Sequence, residues 1–181
     1  MNGATYRIWE QTLVVRCQAG DDDAFAELMG LYEARLRYYV EGLAGRTNDA
    51  DDILQDVWLD VYLKIHKLRS PKAFRAWLYR IARDKVYAEF RRKKHITLES
   101  LEQEIPQEGR EEPTFSAEDI ERIRASLQKL SHKHREILLL RFLEDMTYEE
   151  IAVSLCCQIG TVRSRVYYAK CALRRQMEAE S

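Results

Sequence analysis

The sequence predicts an all-α protein: two small helical units joined by an acidic linker. Three observations predict it. Glycine and proline are scarce, at 7 and 3 of 181 residues, and no long stretch alternates apolar and polar residues as a half-buried strand requires. Apolar residues instead recur at helical spacing, in blocks that open on capping signals. From Lys93 to Ser116 that spacing lapses and Pro106, Gly109, Pro113 and many acids take over, which is linker composition. The expected division is a first unit over residues 1–94, a linker over 95–116 and a second unit over 117–181.

Composition narrows the class. Charged residues make up 33% and aromatics 10%, which suits a folded chain with real cores and not a disordered one. A net charge of −1 does not advertise a nucleic-acid binder, but the distribution is uneven. Acid gathers between Glu99 and Glu121, base between Arg80 and Lys94 and again between Arg163 and Arg175. Such a chain opposes its own binding to DNA. Cys17, Cys156, Cys157 and Cys171 form no C-x-x-C and stand by no histidine at zinc-finger spacing. They are expected as reduced thiols of a cytoplasmic protein, with no metal and no cofactor. No signal peptide and no apolar run of membrane length is visible, so no membrane insertion is expected.

Residues Met1 to Ala19 carry little signal. Asp21 can cap a helix whose first turn holds further acids, and Phe25, Leu28, Tyr32, Leu36, Tyr39 and Val40 give that helix its core face. After a break at 45–48, Asn48 can cap the next helix. Its buried stripe is Ile53 or Leu54, Val57, Val61, Ile65 and Leu68. Its outer face is acidic, with Asp49, Asp52, Asp56 and Asp60 around Gln55. Such a face is most often simply solvated; a basic protein partner is the functional alternative. It repels DNA and should point away from it.

Ser70-Pro71 reads as a cap followed by proline in the first turn. In the helix beyond, Phe74, Leu78, Ile81 and Phe90 supply core. Arg75, Trp77, Tyr79, Arg80, Arg83, Lys85, Tyr87, Arg91 and Arg92 interleave cations with aromatics. Cations track a phosphate backbone and aromatics stack on unpaired bases, although Trp77 is expected in the core before it is expected as a platform. The second unit opens near Ser116, with Asp119 as an acidic capping box. Ile120, Ile123, Leu127 and Leu130 follow as a stripe, then Ile137, Leu138, Leu140 and Phe142 as core of the next helix. His132 and His134 are expected at the surface.

The last stretch, Met146 to Met177, has the pattern of a helix-turn-helix. Thr147 and Glu150 form a capping box. Ile151, Ala152 and Leu155 are the buried side of a short helix, and Cys156-Cys157-Gln158 is the turn. A longer helix comes next, with Val162, Val166, Ala169, Leu173 and Met177 inward. Ser164, Tyr167 and Tyr168 fall outward, and Arg163, Arg165, Lys170 and Arg174 flank them. No acid occurs from Ile151 to Met177. A groove lined by phosphates selects for an acid-free face with basic edges; an amphipathic helix with a solvated basic face is the plainer alternative.

These blocks, in this order, resemble the extracytoplasmic-function sigma factors of bacterial RNA polymerase. A-G-D-D-D-A-F-A-E-L opens the first domain, D-A-D-D-I-L-Q-D-V-W is similar to the core-polymerase-binding segment, and F-R-A-W-L-Y-R-I-A-R-D to the promoter-melting segment. L-L-L-R-F-L-E-D-M-T-Y-E-E-I-A and G-T-V-R-S-R are similar to the second DNA-binding domain. The resemblance implies that Asp49, Asp52, Gln55 and Asp56 bind the clamp of the polymerase's largest subunit. It implies that Leu68, Arg69, Ser70 and Pro71 form a loop that captures a flipped base of the upstream-ten element, beside a melting surface of Trp77, Arg80, Arg83, Asp84, Arg91 and Arg92. Arg163, Ser164, Arg165, Tyr167, Tyr168 and Lys170 would read the duplex upstream-thirty-five element. It further implies a promoter-specificity subunit without enzymatic activity, a stress response, and an anti-sigma factor as partner.

Departures from the pattern are local. Cys156 and Asp145 stand where the family usually has glycine; left-handed backbone there would cost about 1 kcal/mol at the cysteine and less at the aspartate. Tyr168 replaces a common base, Asp84 a usual Asn and Ala88 a usual Asp. The acidic linker, through Glu102, Glu104, Glu108, Glu111 and Glu112, is expected to shield the basic faces. A free-standing operator-binding regulator would leave the acidic helix and the aromatic-basic helix without purpose; a protein that only binds and blocks polymerase is the second alternative, and run-off transcription with core enzyme decides it.

Overall fold

The computed structural model describes residues 3–44, 50–94 and 126–179. Seven α-helices carry the fold of these residues: α1 (Gly3–Gln18), α2 (Asp22–Ala44), α3 (Ala50–Lys64), α4 (Phe74–Lys94), α5 (His132–Leu138), α6 (Tyr148–Leu155) and α7 (Ile159–Ala179). Residues 126–129 are helical as well, and no strand occurs among the described residues. The linker, the Asn48 cap, the Ser116–Asp119 box, Ile120, Ile123 and Asp49 all lie outside them.

In the first unit α1, α2, α3 and α4 pack as a bundle. Asp21 caps α2 as its sequence predicts, its Oδ1 accepting from the Ala24 amide at 2.9 Å. The stripe of α3 is wider than periodicity shows: Ile53 and Leu54 are both buried, and Trp58 joins them. The weakly patterned N-terminus is a full helix, with Leu13, Val14 and Cys17 in the core and Gln18 donating to the carbonyls of Ile65 and Leu68 at 3.0 and 2.8 Å. Ser70 is extended and caps nothing with its side chain. Its carbonyl accepts from the Ala73 amide instead, so Pro71–Ala73 form a 3-10 turn and α4 starts only at Phe74.

The second unit packs α5, α6 and α7 around Ile137, Leu140, Met146, Ile151, Val162, Val166 and Ala169. After α5 the chain takes a π turn over Leu139–Leu143. The Glu144 amide reaches back to Leu139 O at 3.0 Å, a five-residue step. The wider turn shifts the helical phase of its residues relative to α5. This corrects one sequence expectation: Phe142 is 54% exposed, while Leu139 stays inside.

Three helices end alike. Gly20, Asp145 and Cys156 have φ of 86°, 48° and 51°, and the residue after each returns an amide to a carbonyl of the closing turn. Left-handed backbone is therefore present at Asp145 and Cys156, the two positions where the family usually has glycine.

The units are not separate bodies. One continuous core runs through both, and α4 packs along α6. Gly42 of α2 lets Leu139 approach so closely that a Cβ there would lie 2.8 Å from its Cδ1.

Candidate nucleic-acid interface

The helix-turn-helix is built as its residues demand. The Thr147 hydroxyl accepts from the Glu150 amide at 3.2 Å and the Glu150 carboxylate from the Thr147 amide at 2.8 Å, closing the capping box. The left-handed turn at Cys156 then aims α7 away from α6. At the head of α7, Arg163 and Ser164 are exposed and Arg165, Tyr167 and Tyr168 half-buried. Ser164 donates within its own helix, to Gly160 O at 3.2 Å and Thr161 O at 3.1 Å. Tyr167 and Tyr168 meet edge-to-face with ring centroids 5.5 Å apart. Lys170 departs from its expected edge position. It is 7% exposed, with Nζ 5.2 Å from the ring centre of Phe142. The π turn that expels Phe142 places that ring where the lysine covers it.

On α4 the predicted residues are divided. Trp77, Arg80 and Asp84 line an open cleft of about 260 Å³ together with Asp60, Lys64, Ile81 and Lys85. Trp77 is half-buried and packs against the core, as its plainer reading has it. Arg91 and Arg92 are exposed at the far end. In the loop before α4, Arg69 is exposed and Leu68 and Ser70 half-buried.

Arg83 points elsewhere, at the second unit. Its Nε lies 2.9 Å from Glu136 Oε1, a carboxylate that Tyr39 and Tyr87 also approach, at 3.5 and 3.4 Å. Burial pushes the Glu136 carboxyl above the usual carboxylate range although Arg83 opposes it. Burial likewise carries the Tyr87 hydroxyl up to about 12. Two further arginines behave the same way. Arg75 pairs with Glu150 at 2.5 Å and donates to Glu144 O at 3.3 Å. Arg35 of α2 reaches Glu144 Oε2 at 3.0 Å, and Glu144 is wholly buried and also raised, by burial first. Arg80 has its Nη1 3.9 Å from Cys156 Sγ. In the reverse direction Arg135 of α5 donates to Gly42 O at 3.1 Å, besides Leu127, Gln128 and Leu130 carbonyls of its own unit.

Sequence reasoning missed Glu136, Glu144 and Arg135. Their signal was negative: charges on the face that carries Ile137, Leu140 and Met146, where only a partner makes burial tolerable. His132 lies at the surface as expected, but one side of its ring rests on Phe90, with ring centroids 4.9 Å apart. Burial of that side, then Arg135, hold its titration below the ordinary histidine value. His134 is half-buried and lowered by burial and Arg165.

The acidic face of α3 stands open. Asp52, Gln55 and Asp56 are exposed, while Asp60 is half-buried between Lys64 at 2.7 Å and Lys85 at 3.5 Å. Periodicity gave no sign of three neighbours: Leu59, Tyr62 and Leu63, exposed by 56%, 51% and 55%. Large apolar residues left on one acid-rimmed helix face are the composition of a protein interface. Among the described residues no cluster of His, Cys, Asp or Glu fits a metal ion, and no helix is long and apolar enough to cross a membrane.

A helix-turn-helix unit thus packs on a bundle that carries a basic-aromatic helix, and comparison with known proteins identifies the family. The model of Sigma-70 region 2 matches residues 28–96 and that of Sigma-70 region 4 matches 120–173. The sigma-E factor of Escherichia coli strain K12 is 29% identical, covering 95% of this chain and 96% of its own. The sigma factor SigW of Bacillus subtilis strain 168 is 27% identical, covering 91% and 94%. Both are ECF RNA polymerase sigma factors. CnrH, solved in complex with the cytosolic domain of CnrY, shares the fold over 96% of this chain and 99% of its own, at a TM-score of 0.72 and 23% identity. RpoE of Bartonella quintana, solved with the anti-sigma factor NepR, covers 87% and 98% at 0.67 and 24%. The chain belongs to the extracytoplasmic-function sigma factors of RNA polymerase.

Proposed function

We propose that this sigma factor docks on the clamp of core RNA polymerase through Asp52, Gln55 and Asp56, and that Leu59, Tyr62 and Leu63 extend the contact. Docking brings two DNA surfaces to one promoter. The first unit traps an unpaired base of the upstream-ten element at the loop Leu68–Pro71. Flipping costs a few kcal/mol, and the adjoining cleft of Trp77, Arg80 and Asp84 offers an indole face and a cation to offset it. The second unit lays the head of α7 in the duplex groove at the upstream-thirty-five element through Arg163, Ser164, Arg165, Tyr167 and Tyr168. Lys170 supports the helix by its packing on Phe142 and leaves the reading to the others. The units divide as 1–94 and 117–181 with the acidic segment 95–116 between them. The protein acts in the cytoplasm, without catalysis of its own, and an anti-sigma factor is its keeper, as NepR is the anti-sigma factor bound to RpoE.

The observation that carries this reading is the pairing, on one sigma-family chain, of an exposed acid-and-apolar α3 face with an exposed acid-free α7 head. Co-purification with core polymerase and run-off transcription test it. The natural chain should co-purify and initiate. Leu59→Ala with Asp56→Ala should abolish co-purification while leaving the helical signal unchanged. A chain that binds promoter duplex tightly by itself and never joins core polymerase would overturn the proposal in favour of a free-standing regulator.

A further inference from the structure

The connection between α3 and α4 is tied down by a side chain of the first helix. After α3 the chain makes a 3-10 turn over Ile65–Lys67 and leaves it at Leu68 with extended backbone. Ile65 is buried, while His66, Lys67 and Arg69 face solvent. Gln18, the last residue of α1, meets this turn across 47 and 50 positions of sequence: its Nε2 donates to Ile65 O at 3.0 Å and to Leu68 O at 2.8 Å. An amide nitrogen carries two hydrogens, and here each closes on a carbonyl at one end of the turn. Ile65 O also accepts from the Leu68 amide at 3.1 Å, which joins all three groups. Gln18 is itself held in place. Left-handed Gly20 ends α1 two residues on, its amide returns to Cys17 O at 3.0 Å, and Arg16 donates to Asp21, the cap of α2, at 2.8 Å. On the far side Pro71 keeps Ser70 extended. Leu68, Arg69 and Ser70 therefore run between two fixed ends.

We propose that Gln18 is a positioning residue for base selection: its amide sets the course of the loop Leu68–Pro71 before the promoter strand arrives. The proposal rests on the sigma-factor reading, which gives that loop its base, and adds to it a residue of α1 that acts through the loop. Ordering a loop at the moment of binding costs affinity, and a loop ordered beforehand does not incur that cost. Order also governs selectivity, because a pocket rejects the wrong base only while its walls keep their place. Two neutral hydrogen bonds are together enough to shift the population of such a loop on the order of tenfold. They act through donors and not through bulk. A carboxylate in the same place would turn oxygens toward both carbonyls, and an apolar side chain of similar length would leave them without a donor. Lysine, whose ammonium carries three hydrogens, can still donate to both.

The test uses holoenzyme reconstituted from the full chain and core polymerase, with run-off transcription from promoters that carry each base in turn at the captured position. An abasic scan of the upstream-ten element with the natural chain locates that position. Gln18→Leu and Gln18→Glu should each cut the preference for the best base on the order of tenfold, and Gln18→Lys should restore part of it. On the promoter made abasic at that position the natural chain and its variants should initiate alike, which a general loss of stability would not allow. Should Gln18→Leu and Gln18→Glu fail to fold, Gln18→Asn, whose amide falls a methylene short of the carbonyls, carries the same expectation. The proposal is overturned if these variants keep the natural preference, if Gln18→Lys does no better than Gln18→Leu, or if the loss is as large on the abasic promoter. A natural chain that selects a base while its variants select equally well sinks the positioning role alone. A natural chain that never initiates, or that shows no preference anywhere in the upstream-ten element, sinks the sigma-factor reading and the positioning role with it.

Discussion

Helices α4 and α7 look alike in sequence and lie in opposite situations. Both run 21 residues, carry arginines at helical spacing and interleave them with tyrosines. Yet α7 presents Arg163 and Ser164 to solvent, while α4 spends Arg75 and Arg83 on carboxylates of the other unit. A basic stripe states what a face will accept, a negative charge. It does not state whether that charge is a phosphate, a solvated counter-ion or a glutamate folded back from the same chain. The difference lies in α5 and α6, which deliver the carboxylates of Glu136 and Glu150 to α4. It predicts that changes on the covered side move stability and that changes on the open side move only binding.

The largest effect is expected at Arg135, which is 6% exposed and holds four carbonyls, one of them across the interface. Arg135→Ala strands these acceptors out of water. A loss of about 3 kcal/mol in denaturant unfolding is expected, with Arg135→Lys recovering part because an ammonium cannot span the fork. A loss below about 0.5 kcal/mol, the range of ordinary surface changes, would erase the distinction between the two sides.

Cys156 stands at the border. It ends α6 in left-handed backbone at φ 51° and its sulfur faces Arg80. Cys156→Gly should raise stability by up to about 1 kcal/mol in denaturant unfolding, the strain of an L residue there less the entropy of glycine. Asp145→Gly, at φ 48°, should gain less, since aspartate tolerates that region better. Equal gains at the two sites would break the argument. On the open side, Arg163→Ala should leave stability within about 0.5 kcal/mol and weaken promoter duplex binding by the holoenzyme by about 1–3 kcal/mol, read by footprinting.

Legibility follows the same division. The all-α class, the Asp21 cap, the Thr147–Glu150 box, the turn at Cys156 and the inward stripe of α7 were legible, because caps and periodicity are local and each leaves its mark within a few residues. Helix α1 was not, since its core residues are few and its outer side keeps Ile8, Trp9 and Val15, blurring the two faces. Phe142 and Lys170 were misplaced together, because periodicity assumes an α turn where the chain takes a π turn. Ser70 lost its cap to a 3-10 turn that Pro71 begins equally well. The covering of α4 was beyond sequence reading altogether. It depends on distant residues meeting as partners, Arg75 with Glu150 across 75 positions and Arg35 with Glu144 across 109, and no local pattern records such a meeting.

The smallest effect is also the most direct reporter of which side is covered. His132 sits against Phe90 of the first unit, with a hydrogen bond to the Leu43 backbone. Burial lowers its titration, and Arg135 adds to that. A histidine depressed in the closed chain contributes stability to closure that is present above its ordinary value, about 6.5, and is lost as pH falls through the depressed one. Glu136 and Glu144, raised by burial, work the other way: they favour closure as pH falls, because the closed form holds their protons more tightly. The histidine can be isolated by NMR titration of its ring. It should titrate below the ordinary value in the natural chain and return toward it in a Glu136→Gln, Glu150→Gln variant, where Phe90 no longer covers it. His134, whose charged neighbour Arg165 lies in its own unit, supplies the internal control by moving less. Equal movement of both rings would mean that the second unit had loosened as a whole, and the contrast between a covered α4 and an open α7 would then be a property of folding and not of docking.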